Sequence, residues 1–128
     1  WIGERTAWTW LRLWPLEQAF WDAAPAALAD PSRHVVLAQA ARELLLAQAS
    51  DWQFIISTGA VADYAERRFL EHCGDAERLV AALASTDPAV LDAAREEAAS
   101  LRRRDDLFPD IIPALAAALR GSRALSPA

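Results

Sequence analysis

Apolar residues recur along this chain at intervals of three and four, the spacing of helices that bury one face. Leu13, Leu16, Phe20 and Ala24 form the first such stripe, in a helix expected from Trp8 or Thr9 to about Ala24. Trp10, Trp14, Glu17 and Trp21 form a second stripe on an adjacent face of the same helix. Pro15 falls inside this pattern and sits best within the first turns, where its missing N–H costs little. Asp30-Pro31 reads as an N-cap followed by proline at the first helical position. The helix it opens carries Leu37, Ala41, Leu44, Leu45 and Gln48 along one face and is expected to end at Ala49 or Ser50. Gln48 continues an apolar stripe as a polar residue, so it either faces a cleft or needs a buried partner.

Beyond a turn at Ser50–Phe54, the pair Ile55-Ile56 and the breaker Ser57-Thr58-Gly59, a long helix is expected from Ala60 to Ala84. Its stripe is Val61, Ala65, Phe69, Cys73, Ala76, Val80 and Leu83, with Gly74 inside it at a cost of about 1 kcal/mol relative to alanine. Asp87-Pro88 repeats the capped start, and a helix using Val90, Leu91, Ala94, Ala98 and Leu101 should reach about Arg103. The segment from Asp105 to Asp110 reads as a loop, Ile111 to Arg120 as a last short helix around Pro113, and Gly121 to Ala128 as a fraying end. There is neither an internal repeat nor strand alternation. The expected fold is all-α, a bundle of four to five helices. Residues 1–6 would be an inter-domain linker remnant, 7–111 the helical domain, and 112–128 a short helix and frayed tail.

Composition narrows the function. The 128 residues suffice for one domain with a real core, and 54% of them are hydrophobic with only 4 glycines, as in a helical protein. A net charge of -5 argues against nucleic acid or an anionic membrane as partner. The basic residues are all arginine, a composition bias and not a functional signal. A lone cysteine, Cys73, excludes an internal disulfide and fits a reducing, cytoplasmic compartment. No apolar run approaches the length that spans a bilayer. A chain without methionine that opens on Trp1 is expected to be a piece of a longer polypeptide.

Few residues are equipped for chemistry. Neighbouring His72 and Cys73 diverge by about 100° on a helix, which argues against a metal site, and no cofactor fingerprint is present. Cys73 reads as a core thiol and His72 as a flanking surface residue. Arg102-Arg103-Arg104-Asp105-Asp106 reads as a solvated helix end whose arginines complement the dipole. At Ser50-Asp51-Trp52-Gln53 a carboxylate would face the negative end of a helix, an unfavourable contact of about 0.3–1 kcal/mol. Two readings stand: a capping box from Ser50 to Gln53 that opens a new short helix, or an acid and an indole held at the mouth of a sugar-binding cleft. Five of the six tryptophans lie in the first 21 residues. Two apolar faces on one helix imply a second packing partner: another domain, a second copy of the chain, or a ligand.

The run Ala41-Arg42-Glu43-Leu44-Leu45-Leu46-Ala47-Gln48-Ala49-Ser50-Asp51-Trp52-Gln53-Phe54-Ile55 resembles the C-terminal helical domain of family 57 glycoside hydrolases of the 1,4-α-glucan branching type, also known as DUF1957. So do Thr58-Gly59-Ala60-Val61-Ala62-Asp63-Tyr64-Ala65-Glu66-Arg67-Arg68 and Leu107-Phe108-Pro109-Asp110-Ile111, and the opening Trp8-Thr9-Trp10 is similar to the family's entry into this domain. Gln53 stands where many relatives carry proline, and the tail after Ile111 is individual to this chain. The resemblance implies that the catalytic glutamate and aspartate lie on a preceding (β/α) barrel of the parent chain. Such retaining enzymes need two carboxylates about 5–5.5 Å apart, and nothing here is placed to partner Asp51, so no catalytic residue is assigned. It further implies an accessory domain of glycogen biosynthesis that completes the α-glucan cleft. Trp1 and Trp10 match the family's cleft tryptophans, and Asp51 and Trp52 its motif acid and indole. The competing expectation is a helical interaction or dimerisation module that buries its tryptophan stripe.

Overall fold

The computed structural model describes residues 7–48, 62–105 and 111–125. These residues form five α-helices and no strand: α1 (Ala7–Leu28), α2 (His34–Gln48), α3 (Ala62–Ala84), α4 (Pro88–Arg104) and α5 (Ile111–Leu125). The all-α bundle expected from periodicity is the fold observed. Helix α2 is its axis, packed against α3 most extensively and also against α1, α4 and α5.

The stripes read from sequence are largely the buried ones. Leu13, Leu16, Phe20 and Ala24 of α1 meet Leu37, Ala41 and Leu44 of α2 and Phe69, Cys73, Ala76, Val80 and Leu83 of α3 in one apolar core. Two expected core positions turn outward instead: Leu45 and Val90 are exposed. Val90 lies in the exposed first turn of α4, and Leu91, Ala94, Ala98 and Leu101 suffice to seat that helix.

Helix α1 runs further than expected at its C-terminal end, to Leu28, and encloses both Pro15 and Pro25. Both proline rings lie on its exposed side. The buried Thr9, Leu13 and Ala27 hold the first and last turns on the core, and that tertiary burial overrides the local preference against interior proline. Helix α5 likewise continues to Leu125, past the Arg120 at which a short helix was expected to stop, with Ile111 and Leu115 buried.

Two aspartate caps are in place. The Asp30 carboxylate accepts from the Ser32 N–H at 3.1 Å and opens a 3-10 turn, Pro31–Arg33, that leads into α2. Asp87 accepts from the Ala89 N–H at 2.9 Å at the start of α4. Arg33 donates to the carbonyls of Leu83 and Ser85 at 2.9 and 3.3 Å, so the entrance to α2 also closes the end of α3.

Candidate functional site

Side chains spaced four, three and four apart on an α-helix stay within a narrow sector, because each residue turns by about 100°. Trp10, Trp14, Glu17 and Trp21 therefore share one strip of α1, beside the core strip of Leu13, Phe20 and Ala24. The structure leaves the indoles open: Trp10 is 38% exposed, Trp14 66% and Trp21 44%. Trp21 packs nearly perpendicular to the buried Phe20 ring with centroids 5.1 Å apart. Glu17 interrupts the row with a partner from α2, whose Gln48 amide donates to Glu17 Oε1 at 2.8 Å. Gln48 thus has a half-buried partner at the edge of an aromatic face, combining the two alternatives open from sequence. Next to Trp21 a recess of about 200 Å³ is lined by Phe20, Leu44, Gln48, Ile111 and Leu115, among others.

The other flank of α1 carries different chemistry. A groove of about 640 Å³ runs between α1 and α3, walled by Pro15, Leu16, Ala19, Ala23, Val80 and Ala81 with Asp22 and Glu77 at its margin. Arg12 of α1 forms a bidentate pair with Glu77 of α3 at this flank. That hydrogen bond outweighs partial burial and holds the Arg12 pKa above its ordinary value.

A buried ionic cluster lies where α2, α3 and the end of α4 meet. His72 is fully buried, and its Nδ1 lies 2.8 Å from Glu43 Oε1 and 4.0 Å from Asp105 Oδ2. This corrects the expectation of a surface histidine: position 72 shares the inward arc of α3 with Phe69 and Ala76 and meets a carboxylate from a central helix. Gln39 donates to Glu43 Oε2 at 2.9 Å and to the Asp105 carbonyl at 3.2 Å, and Arg42 Nη1 donates to Gln39 Oε1 at 3.1 Å. Arg104 is a second correction. It does not simply solvate the end of α4; its Nη2 lies 2.7 Å from Asp105, 2.9 Å from Asp75 and 3.5 Å from Glu43.

Proton affinities in this cluster follow from burial and these contacts. Desolvation pushes the Glu43 carboxyl above its ordinary value, opposed by the hydrogen bond from His72 and reinforced by the neighbouring Asp105. Burial also acts upward on Asp105, but Arg104, Glu43 and His72 outweigh it and hold that carboxyl below the ordinary range. Burial pushes the Cys73 thiol up to about 12, as befits the core thiol expected, with no thiolate at neutral pH. Donor atoms of Glu43, His72 and Asp75 lie within 4.8 Å of one another, a grouping not foreseen from the adjacent pair His72-Cys73. Those carboxylates face guanidinium groups: Arg104 lies against Glu43 and Asp75, and Arg78 pairs with Asp75. Neither groove is lined by Glu43 or His72, and the buried part of the cluster acts as a bolt between the helices.

Of the site residues expected from sequence, Trp10 is placed, on the open face of α1. Trp1, Asp51 and Trp52 lie outside the described residues, as do Asp106 to Asp110. His34 is engaged locally, with Nε2 2.8 Å from the Leu28 carbonyl at the end of α1. No described helix is long and apolar enough to cross a membrane.

Comparison with known proteins agrees with the resemblance. The family described as 1,4-alpha-glucan branching enzyme, C-terminal, matches residues 15–115. A curated 1,4-alpha-glucan branching enzyme of Thermococcus kodakarensis is 42% identical over 84 residues, which cover 62% of this chain and 12% of that protein. No solved structure matches. A match that takes in α2, α3 and α4 whole, with the buried cluster they share, places the family in the framework of the fold as well as in its surface: the chain belongs to the C-terminal domain family of 1,4-alpha-glucan branching enzymes.

Proposed function

We propose that this chain is the accessory helical domain of a family 57 α-glucan branching enzyme and completes the substrate cleft beside a catalytic (β/α) barrel in the same parent chain. The observation that carries this reading is the row of exposed indoles on α1 in a chain of this family. Branching cuts an α-1,4-glucan and passes the chain to a 6-hydroxyl instead of to water. Flat indoles stack on sugar faces and exclude water from a covalent intermediate. In this reading Trp1 and Trp10 line the cleft, while Asp51 accepts hydrogen bonds from paired hydroxyls and Trp52 supports the ring. Asp51 and Trp52 follow Gln48 by three and four residues in the sequence, and Gln48 stands against Glu17 in the tryptophan row. The nucleophile and acid/base belong to the barrel, and the parent works in the cytoplasm in glycogen synthesis.

The test is branching of amylose by the full parent chain carrying Trp10→Ala, Asp51→Ala or Trp52→Ala. Each is expected to cut the branching rate by at least about tenfold with the unfolding midpoint unchanged. Wild-type rates in all three would remove the cleft role. The row would then be left to the competing reading, an interaction or dimerisation face, which sedimentation of the parent and of Trp14→Ala would register.

A further inference from the structure

We infer that the outer part of the α1 row, Trp14, Glu17 and Trp21 with Gln48 of α2, is a second α-glucan contact that extends the cleft beyond Trp10. This rests on the function proposed above and gives a binding role to residues to which that reading assigns none. The row is long: Trp10 and Trp21 are eleven residues apart, about 16 Å along the helix axis, and Trp14 and Trp21 about 10 Å. That is the length of a short oligosaccharide and exceeds any single ring.

Its chemistry alternates in the way a sugar chain does. Indole faces suit the C–H faces of pyranose rings, and a carboxylate–carboxamide pair suits their hydroxyl edges. The bond from Gln48 engages Oε1 of Glu17 and one amide hydrogen. A carboxylate offers about four lone-pair sites and a carboxamide two donors and an acceptor, so the pair retains capacity for several hydroxyls. Trp21 is held by the buried Phe20 ring, so its indole is presented without a further loss of side-chain freedom. The recess beside it, about 200 Å³ with Gln48 in its wall, is on the scale of one ring and not of a packed helix.

The same pair argues against a protein as occupant. A helix or barrel surface laid over the row would bury Glu17 in an aromatic interface, and a carboxylate removed from water without a cation is costly. A second copy of this chain would bring a second Glu17 to the same face. A glucan brings neutral hydroxyl donors to it and leaves the rim wet.

The experiment uses the full parent chain, with maltoheptaose as the binding probe and amylose as substrate. Trp14→Ala/Trp21→Ala and Glu17→Leu are compared with wild type and with Trp10→Ala. Calorimetry is expected to show maltoheptaose affinity falling by about tenfold in the double variant, equivalent to about 1.4 kcal/mol. The amylose KM should rise in parallel with kcat retained, and Trp14→Phe/Trp21→Phe should recover part of the loss. Unchanged affinity and KM in the double variant overturn the inference. So does a lowered unfolding midpoint at unchanged affinity, which would mark the row as a domain interface. If Trp10→Ala, Asp51→Ala and Trp52→Ala impair branching while these variants do not, only the second contact fails. If none of the variants alters branching or binding, the cleft reading fails with it.

Discussion

The two flanks of helix α2 are built from different chemistry. Toward α1 and α5 it presents Leu37, Ala41 and Leu44 to Phe20, Ile111 and Leu115, an aliphatic and aromatic contact with a small recess at one end. Toward α3 and α4 it adds to the apolar core shared with Phe69 and Cys73 a polar patch in which Gln39 and Glu43 meet His72, Asp105 and Arg104. The first flank is stabilised by area removed from water and tolerates approximate shapes. The polar patch on the second stabilises only while each buried partner is present, because an orphaned charge or donor carries its full desolvation cost. One helix therefore joins a forgiving surface to an unforgiving one.

The largest expected effect comes from removing the centre of the ionic flank. Glu43→Ala removes the carboxylate 2.8 Å from His72 Nδ1 and one of the two bonds made by the Gln39 amide, and should cost about 3–5 kcal/mol in urea unfolding. Leu37→Ala, equally buried on the apolar side, should cost about 2–4 kcal/mol. A smaller loss for Glu43→Ala than for Leu37→Ala would break the comparison.

Acid should separate the flanks more cleanly than urea. The folded pKa of Asp105 lies below its unfolded value near 3.8, so its contribution is present above that pH and is lost as pH falls through the folded value. Glu43 acts in the opposite sense. Its folded pKa lies above the ordinary 4.5, so its contribution is complete below 4.5 and is lost as pH rises through the folded value. Asp105→Asn should remove a measurable part of the acid limb of stability below about pH 4 and leave the limb of Leu37→Ala as in wild type. Parallel acid limbs in Asp105→Asn and wild type would show that Asp105 does not carry that loss.

The smallest effect concerns Gly74, between His72 and Asp75 in α3. A Cβ there would meet Arg78 Nη1 at 3.5 Å, an ordinary contact. Gly74→Ala should therefore stabilise the chain by about 0.5–1 kcal/mol, a rise in Tm of a few degrees. Destabilisation would mean that the ionic flank has less room than its geometry gives.

This division also explains what sequence reading reached. The apolar flank was legible because a 3.6-residue period marks Leu13, Leu16, Phe20 and Ala24, or Phe69, Cys73, Ala76 and Val80, without reference to any other helix. The ionic flank was not, because its pairs span 29 residues from Glu43 to His72 and 66 from Gln39 to Asp105. Periodicity cannot place a partner that far away, so His72 read as a surface residue and Arg104 as a solvated end. One local signal was available. Between His34 and Ala49, Arg42 and Glu43 are the only charged residues, in a run otherwise rich in Ala, Val and Leu. A helix so composed is surrounded, and its charges must then find partners inside the fold. The tryptophan row was visible as a second stripe. The Glu17–Gln48 bond that gives it a polar centre depends on how α1 and α2 lie together, and so emerged only with the fold.

The bond between His72 and Glu43 has a consequence beyond its strength. Helix α2 buries Ala38, Ala40, Ala41 and Ala47, methyl groups that leave much of its buried surface smooth between the larger Leu37 and Leu44. Alanine methyls specify rotation about the helix axis only weakly, because small rotations change their packing little. Glu43 works as a key: only one rotational setting brings its carboxylate to His72 and the Gln39 amide to the Asp105 carbonyl. By fixing the azimuth of α2, the key also fixes which side of the helix each residue faces, and so turns Gln48 toward Glu17 of α1.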